Sequence, residues 1–151
     1  MDLKGEKMND LYSILKKSPY SHTACRSAML WLKIQPNNLK TIYQRCPYAD
    51  WLFWIIDLAE KQDIWHSFNI QADILRKIEE DVGNKFLSRV LYKWESLHSI
   101  YNFRRSLANS SRLRNKRELI NKKLVDITKK RISFSRFQRA VKCLENEVNS
   151  R

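Results

Sequence analysis

The chain has 151 residues, with 29 Lys and Arg against 16 Asp and Glu, for a formal net charge of +13. A hydrophobic fraction of 43% and an aromatic fraction of 11% exclude a disordered basic tail. Two glycines only, Gly5 and Gly83, exclude a phosphate-cradling loop and a dinucleotide-binding fingerprint, which need glycines at fixed offsets, and speak against a Gly-turned sheet protein.

Taken in chain order, most segments carry helical periodicity. Asn9 or Asp10 can cap a short first helix through Leu11, Ile14 and Leu15, which Ser18-Pro19 stops. A second helix is expected from about Thr23 to Ile34, with Ala24, Ala28 and Leu32 on one side and Trp31 beside them. Pro36-Asn37-Asn38 breaks it and caps a short element from Leu39 to Arg45. Pro47 suits the first position of a fourth helix, Tyr48 to Ala59, where its missing N–H costs nothing. There Trp51, Trp54, Ile55 and Leu58 recur at i, i+3, i+4, i+7, and Leu52, Phe53 and Ile56 fill the other sides. A helix apolar nearly all round is a buried one.

Residues 63 to 82 read as one or two helices ended by Gly83. From Lys85 a long amphipathic helix is expected through Phe86, Val90, Trp94, Leu97 and Tyr101, continuing past Phe103 and Leu107 to Asn109-Ser110-Ser111. Ser110 or Ser111 would cap the next helix, Arg112 to about Lys130, on a seam of Leu113, Ile120, Leu124 and Ile127. Ser133 or Ser135 caps a last helix with Phe134, Phe137, Val141 and Leu144. The expected fold class is therefore all-α: a compact helical bundle with a long central helix and a basic C-terminal helical hairpin. Residues 1–83 form an aromatic-rich core region and 84–151 the long helix plus the basic helices, in one continuous domain.

Cys25, Cys46 and Cys143 form no CxxC pair, and the N-terminus MDLKGEKMND has no apolar stretch of a signal peptide. The longest apolar run, Trp51 to Ile56, is far short of a membrane span. A cytoplasmic protein with reduced thiols is expected. His22, Cys25, Cys46 and His66 offer one His-Cys pair only, too few for a structural zinc site. Glu79, Glu80 and Asp81 are adjacent and point different ways on a helix. Neither His66 nor His98 has a paired nucleophile in sequence, so no enzyme, cofactor or metal is expected.

The charge is segregated. From Tyr101 to Lys142 there are fourteen cations against two acids, Glu118 and Asp126, a net +12, whereas residues 1 to 75 carry nine bases and eight acids. The fourteen are Arg104, Arg105, Arg112, Arg114, Lys116, Arg117, Lys122, Lys123, Lys129, Lys130, Arg131, Arg136, Arg139 and Lys142. A concentrated basic stretch points to a polyanionic partner, nucleic acid or a nucleoprotein, and the excess of Arg over Lys favours two-pronged phosphate contacts. On a 112–130 helix, Arg112, Lys116, Lys123 and Lys130 would lie within about 40° of one another over about 27 Å, with Lys122 and Lys129 on the far side. The plain alternative is a solvated basic face. Phe134, Phe137 and Tyr101 interleave with Arg, so they could stack unpaired bases or simply pack the core.

Two resemblances add to this. Leu124 to Leu144, LVDITKKRISFSRFQRAVKCL, resembles the second half of a helix-turn-helix, with Arg131 where the turn usually carries Gly and Ile127 where Ala is usual. Ala24-Cys25, Ala28, Trp31-Leu32, then Cys46-Pro47, Asp50-Trp51-Leu52 and Trp54 are similar to a helical module of uncharacterised phage and bacterial proteins, some labelled immunity proteins. That module covers about residues 24–58 and implies a phage-type accessory protein acting by binding. The alternative function is thus an inhibitor or immunity protein docking on a partner protein, such as an anti-CRISPR.

Overall fold

The computed structural model describes residues 9–17, 26–60, 64–82 and 100–150, with the backbone alone at 64–68 and 82. Its elements are α1 (Asp10–Lys17), α2 (Arg26–Lys33), α3 (Leu39–Arg45), α4 (Ala49–Glu60), α5 (Ile64–Val82), α6 (Ile100–Asn109), a 3₁₀ turn (Arg114–Lys116), α7 (Arg117–Arg131) and α8 (Phe134–Asn149). No strand occurs among the described residues, and the fold is an all-α bundle.

The apolar run of the sequence makes α4 the central helix. Ala49, Trp51, Leu52, Phe53, Ile55 and Ile56 are buried over more than half of the helix circumference, and Asp57 is exposed on the remaining side with Asp50, Trp54 and Leu58 half-buried beside it. Its principal partner is α8, which contributes Phe137, Ala140, Val141 and Leu144, and α5, α6 and α7 cover the rest. The far flank of α8 packs on α1 and α3, while α7 packs chiefly on α5. The two helices of the basic C-terminal pair are adjacent in sequence but face different neighbours. One continuous core cluster runs from Leu11 to Leu144 through all eight described α-helices.

Several boundaries follow from caps already legible in the sequence. Asn38 accepts from the Thr41 N–H at 2.9 Å to start α3, and Ser133 accepts from the Arg136 N–H at 3.3 Å to start α8. Asn9, only 1% exposed, serves two helices. Its side-chain oxygen accepts from the Tyr12 N–H at 2.8 Å, and its amide donates to the Leu32 and Gln35 carbonyls at 2.6 and 3.1 Å, closing the end of α2. Pro47 differs from expectation: α4 begins two residues later, and the Pro47 carbonyl instead accepts from the Asn121 side chain of α7 at 3.1 Å.

The helix expected from Arg112 begins at Arg117. Ser110 does cap, but it caps a turn, accepting from the Leu113 N–H at 3.3 Å. The Lys116 N–H then donates to the Leu113 carbonyl at 2.9 Å in the 3₁₀ turn. Leu113 is buried as a plug between α6 and α7, which is why its spacing to Ile120 imitates one more helical turn. Ile132 (φ −110°, ψ 91°) and Ser133 (φ −67°, ψ 163°) join α7 to α8 in extended backbone. Arg131, at the position where a helix-turn-helix usually carries Gly, is the last residue of α7 and takes no left-handed turn position. Tyr43 secures the connection: its hydroxyl lies 2.6 Å from the Ile132 carbonyl oxygen and 3.1 Å from that of Lys129.

The expected start of the second helix at Thr23, the Ser18-Pro19 and Gly83 stops, and the 85–99 stretch of the long helix with Phe86, Val90, Trp94 and Leu97 lie outside the described residues. Within the module-like segment, Ala24 and Cys25 also lie outside them, and Cys46 packs beneath Trp31, Trp51 and Trp54 as a small apolar group.

Candidate nucleic-acid interface

The fourteen cations divide by what they touch. Arg104 on α6 grips Asp50 with both arms, Nε to Oδ1 at 2.8 Å and Nη2 to Oδ2 at 3.0 Å, and its guanidinium lies 4.1 Å from the Tyr48 ring centroid. Asp50 sits in the first turn of α4, where the helix dipole favours a carboxylate. Arg136 on α8 grips Glu60 in the same way, at 2.9 and 2.7 Å. Glu60 ends α4, where the dipole disfavours a carboxylate, and Arg136 offsets that. The hydrogen-bonded Glu60 in turn holds the Arg136 guanidinium more firmly protonated than usual. The basic half therefore clamps the core helix at both ends.

Arg117 donates to the Leu107 and Ser110 carbonyls at 3.2 and 3.4 Å, closing the end of α6. Lys129 donates to the Gln44 carbonyl at 2.7 Å and lies 5.6 Å from the Tyr43 ring centroid. Arg131 stands 3.9 Å from Asp73, and Lys142 pairs with Glu145 at 2.9 Å; such exposed pairs contribute about 0 to 1 kcal/mol. Arg112 is exposed in the turn after α6.

The other seven, Arg105, Arg114, Lys116, Lys122, Lys123, Lys130 and Arg139, have no ion pair or hydrogen bond among the described residues. Their arrangement differs from the expected stripe. Arg112 and Lys116 precede α7, whose 15 residues span about 22 Å. The buried seam is Ile120, Leu124, Val125 and Thr128, rotated by about 60° from the expected one because Val125 and Thr128 join it and Ile127 lies at its margin. That rotation turns Lys123 and Lys130 outward and brings Lys122 onto the same broad solvent face, around Leu119, which is 56% exposed. Glu118 and Asp126 share this face. Four residues from Lys122 on either side, they stand at ion-pairing spacing, yet no ion pair forms. On α8, Arg139 and Lys142 share the exposed side with Ser135, Gln138, Cys143 and Asn146.

Of the three aromatics interleaved with Arg, Phe137 is a core residue at 1% exposure. Phe134 is half-buried, edge-on to Tyr43 at 5.6 Å with Lys40 at 5.8 Å. Tyr101 alone faces water, 41% exposed, with the Arg104 and Arg105 guanidinium carbons 5.8 and 5.6 Å from its ring centroid.

His22, Cys25 and His98 lie outside the described residues, as does the side chain of His66. Cys46 is buried, its Sγ 3.5 Å from the Tyr48 carbonyl oxygen, and burial pushes its thiol up to about 11. Among the described residues no three His, Cys, Asp or Glu side chains gather, and no helix is long and apolar enough to cross a membrane. Comparison with protein-family models, with curated proteins and with solved structures finds no match.

Proposed function

We propose that the protein binds nucleic acid, or a nucleoprotein, through the outward faces of α6, α7 and α8, and acts by occupying its ligand without chemistry. One observation carries this: seven cations of the basic half have no ion pair or hydrogen bond among the described residues, although the same half spends Arg104 and Arg136 on carboxylates of the core. Like charges on one surface repel, and a phosphate backbone relieves that repulsion while releasing its counterions. The test is affinity for a labelled duplex as a function of salt. Neutralising about five phosphates gives a log–log slope near −4.5. Joint Lys116→Glu, Lys123→Glu and Lys130→Glu substitution should flatten that slope and weaken binding severalfold. A salt-independent affinity would defeat the proposal.

A second role, as an inhibitor or immunity protein docking on a partner protein in the manner of an anti-CRISPR, is favoured by Leu30 and Ile34. They stand one helical turn apart at the end of α2, 58% and 78% exposed. Capture from lysate with and without nuclease separates the two roles. A nuclease-resistant protein partner that is lost with Leu30→Asp and Ile34→Asp, and kept with the triple lysine reversal, supports the docking role.

A further inference from the structure

Core and basic surface are joined by one series of ring–ring and cation–ring contacts. The Trp31 and Trp51 ring centroids are 5.7 Å apart, and Trp51 meets Tyr48 at 4.9 Å. The Arg104 guanidinium lies over Tyr48 at 4.1 Å, Tyr101 follows at 5.8 Å from Arg104, and Arg105 at 5.6 Å from Tyr101. Rings and guanidinium groups alternate along the outer part, so each step is attracted to the next through the negative ring face and the cation.

The inner end of this series is fixed. Arg104 is held by both oxygens of Asp50, and Tyr48 and Trp51 pack in the core cluster. At the outer end Tyr101 is 41% exposed, and Arg105 is exposed with no ion pair among the described residues. Among the described residues of α6, the outward side C-terminal to them carries the small Ala108 and Asn109. Arg104, which backs the step, is already held, so only Tyr101 and Arg105 lose freedom when the step is used.

We infer that Tyr101 and Arg105 form a stacking step for an unpaired nucleobase, so that the nucleic acid taken by the basic surface is single-stranded or carries an unpaired loop or end. This rests on the nucleic-acid role proposed above. A nucleobase is flat and follows a phosphate, so it extends an alternation of rings and guanidinium groups on a cationic background. Bases within a duplex are already stacked on one another and cannot reach the step.

The experiment is fluorescence anisotropy with a labelled oligonucleotide, as RNA and as DNA, alone or annealed to its complement, at one fixed salt concentration. The natural protein should bind the single strand more tightly than the duplex. Tyr101→Leu should lower single-strand affinity by about 5- to 100-fold and leave duplex affinity unchanged, while Tyr101→Phe, which keeps the ring, retains the preference. Arg105→Lys keeps the charge and removes the plane, and should shift the preference in the same direction as Tyr101→Leu. Unchanged duplex affinity doubles as the check that the Tyr101 variants are folded, and an unchanged helical circular-dichroism spectrum is that check for Arg105→Lys. Equal affinity for both ligands in the natural protein, or a single-strand preference that survives both Tyr101→Leu and Arg105→Lys, overturns the stacking step and leaves the nucleic-acid role standing. Binding to neither ligand overturns both.

Discussion

Cys46 shows how far one buried side chain shapes behaviour. It lies beneath Trp31, Trp51 and Trp54 at the joint of α3 and α4, where a thiolate has no water, and its thiol is pushed from an ordinary 9.0 to about 11. Below pH 9 both folded and unfolded chains keep the proton, and the group makes no difference. As pH rises from 9 to 11 the unfolded chain ionises first, so stability falls by about 2 to 3 kcal/mol from this group alone. Urea unfolding across that window should show a steeper loss for the natural protein than for Cys46→Ala, and equal slopes would refute the burial account. The burial itself was legible in sequence, because a Cys between apolar helices reads as a small packing group. The partners of Arg104 and Arg136 were not legible: Asp50 and Glu60 stand 54 and 76 residues away, and no local pattern separates a clamping arginine from a phosphate-binding one.

Among elements, α7 is the most exposed to charge conflict. It begins at Arg117 without a side-chain cap, and Arg114, Lys116 and Arg117 crowd its positive end. Its last turn, Lys129, Lys130 and Arg131, suits the negative end. Lys116→Glu should therefore stabilise the protein by about 0.3 to 1 kcal/mol in thermal unfolding at low salt and, in the same variant, weaken polyanion binding. Stabilisation without loss of binding would mean that Lys116 lies off the interface. The caps at Asn38 and Ser133 and the largely apolar α4 could be read directly from sequence, since each depends on neighbours within one turn. The start of α7 could not. Leu113 sits at helical spacing from Ile120 but is buried in a turn, and the buried seam of α7, whose chief partner is α5, takes in Val125 and Thr128.

For the whole molecule the governing quantity is a net charge of +13, of which residues 101–142 carry +12. Any polyanion that binds the folded state alone must raise its stability, by about 2.7 kcal/mol at a hundred times the dissociation constant. Heparin should thus raise the urea midpoint of the natural protein. It should do little for the triple reversal of Lys116, Lys123 and Lys130, and an equal rise in both would move the interface elsewhere. The all-α class was legible because periodicity and scarce glycine both exclude sheet. The assembly order was not, because helices far apart in sequence choose each other by shape. The main partner of α4 is α8, and the Tyr43 hydroxyl reaches carbonyls 86 and 89 residues later. On the ribosome, the run from Trp51 to Ile56 therefore emerges long before the helix that covers it. At 5 to 20 residues per second the wait from Glu60 to Phe134 is roughly 4 to 15 seconds. For that interval Trp51 can pack against Trp31 and Tyr48, but the face of the central helix that α8 covers waits for its principal partner.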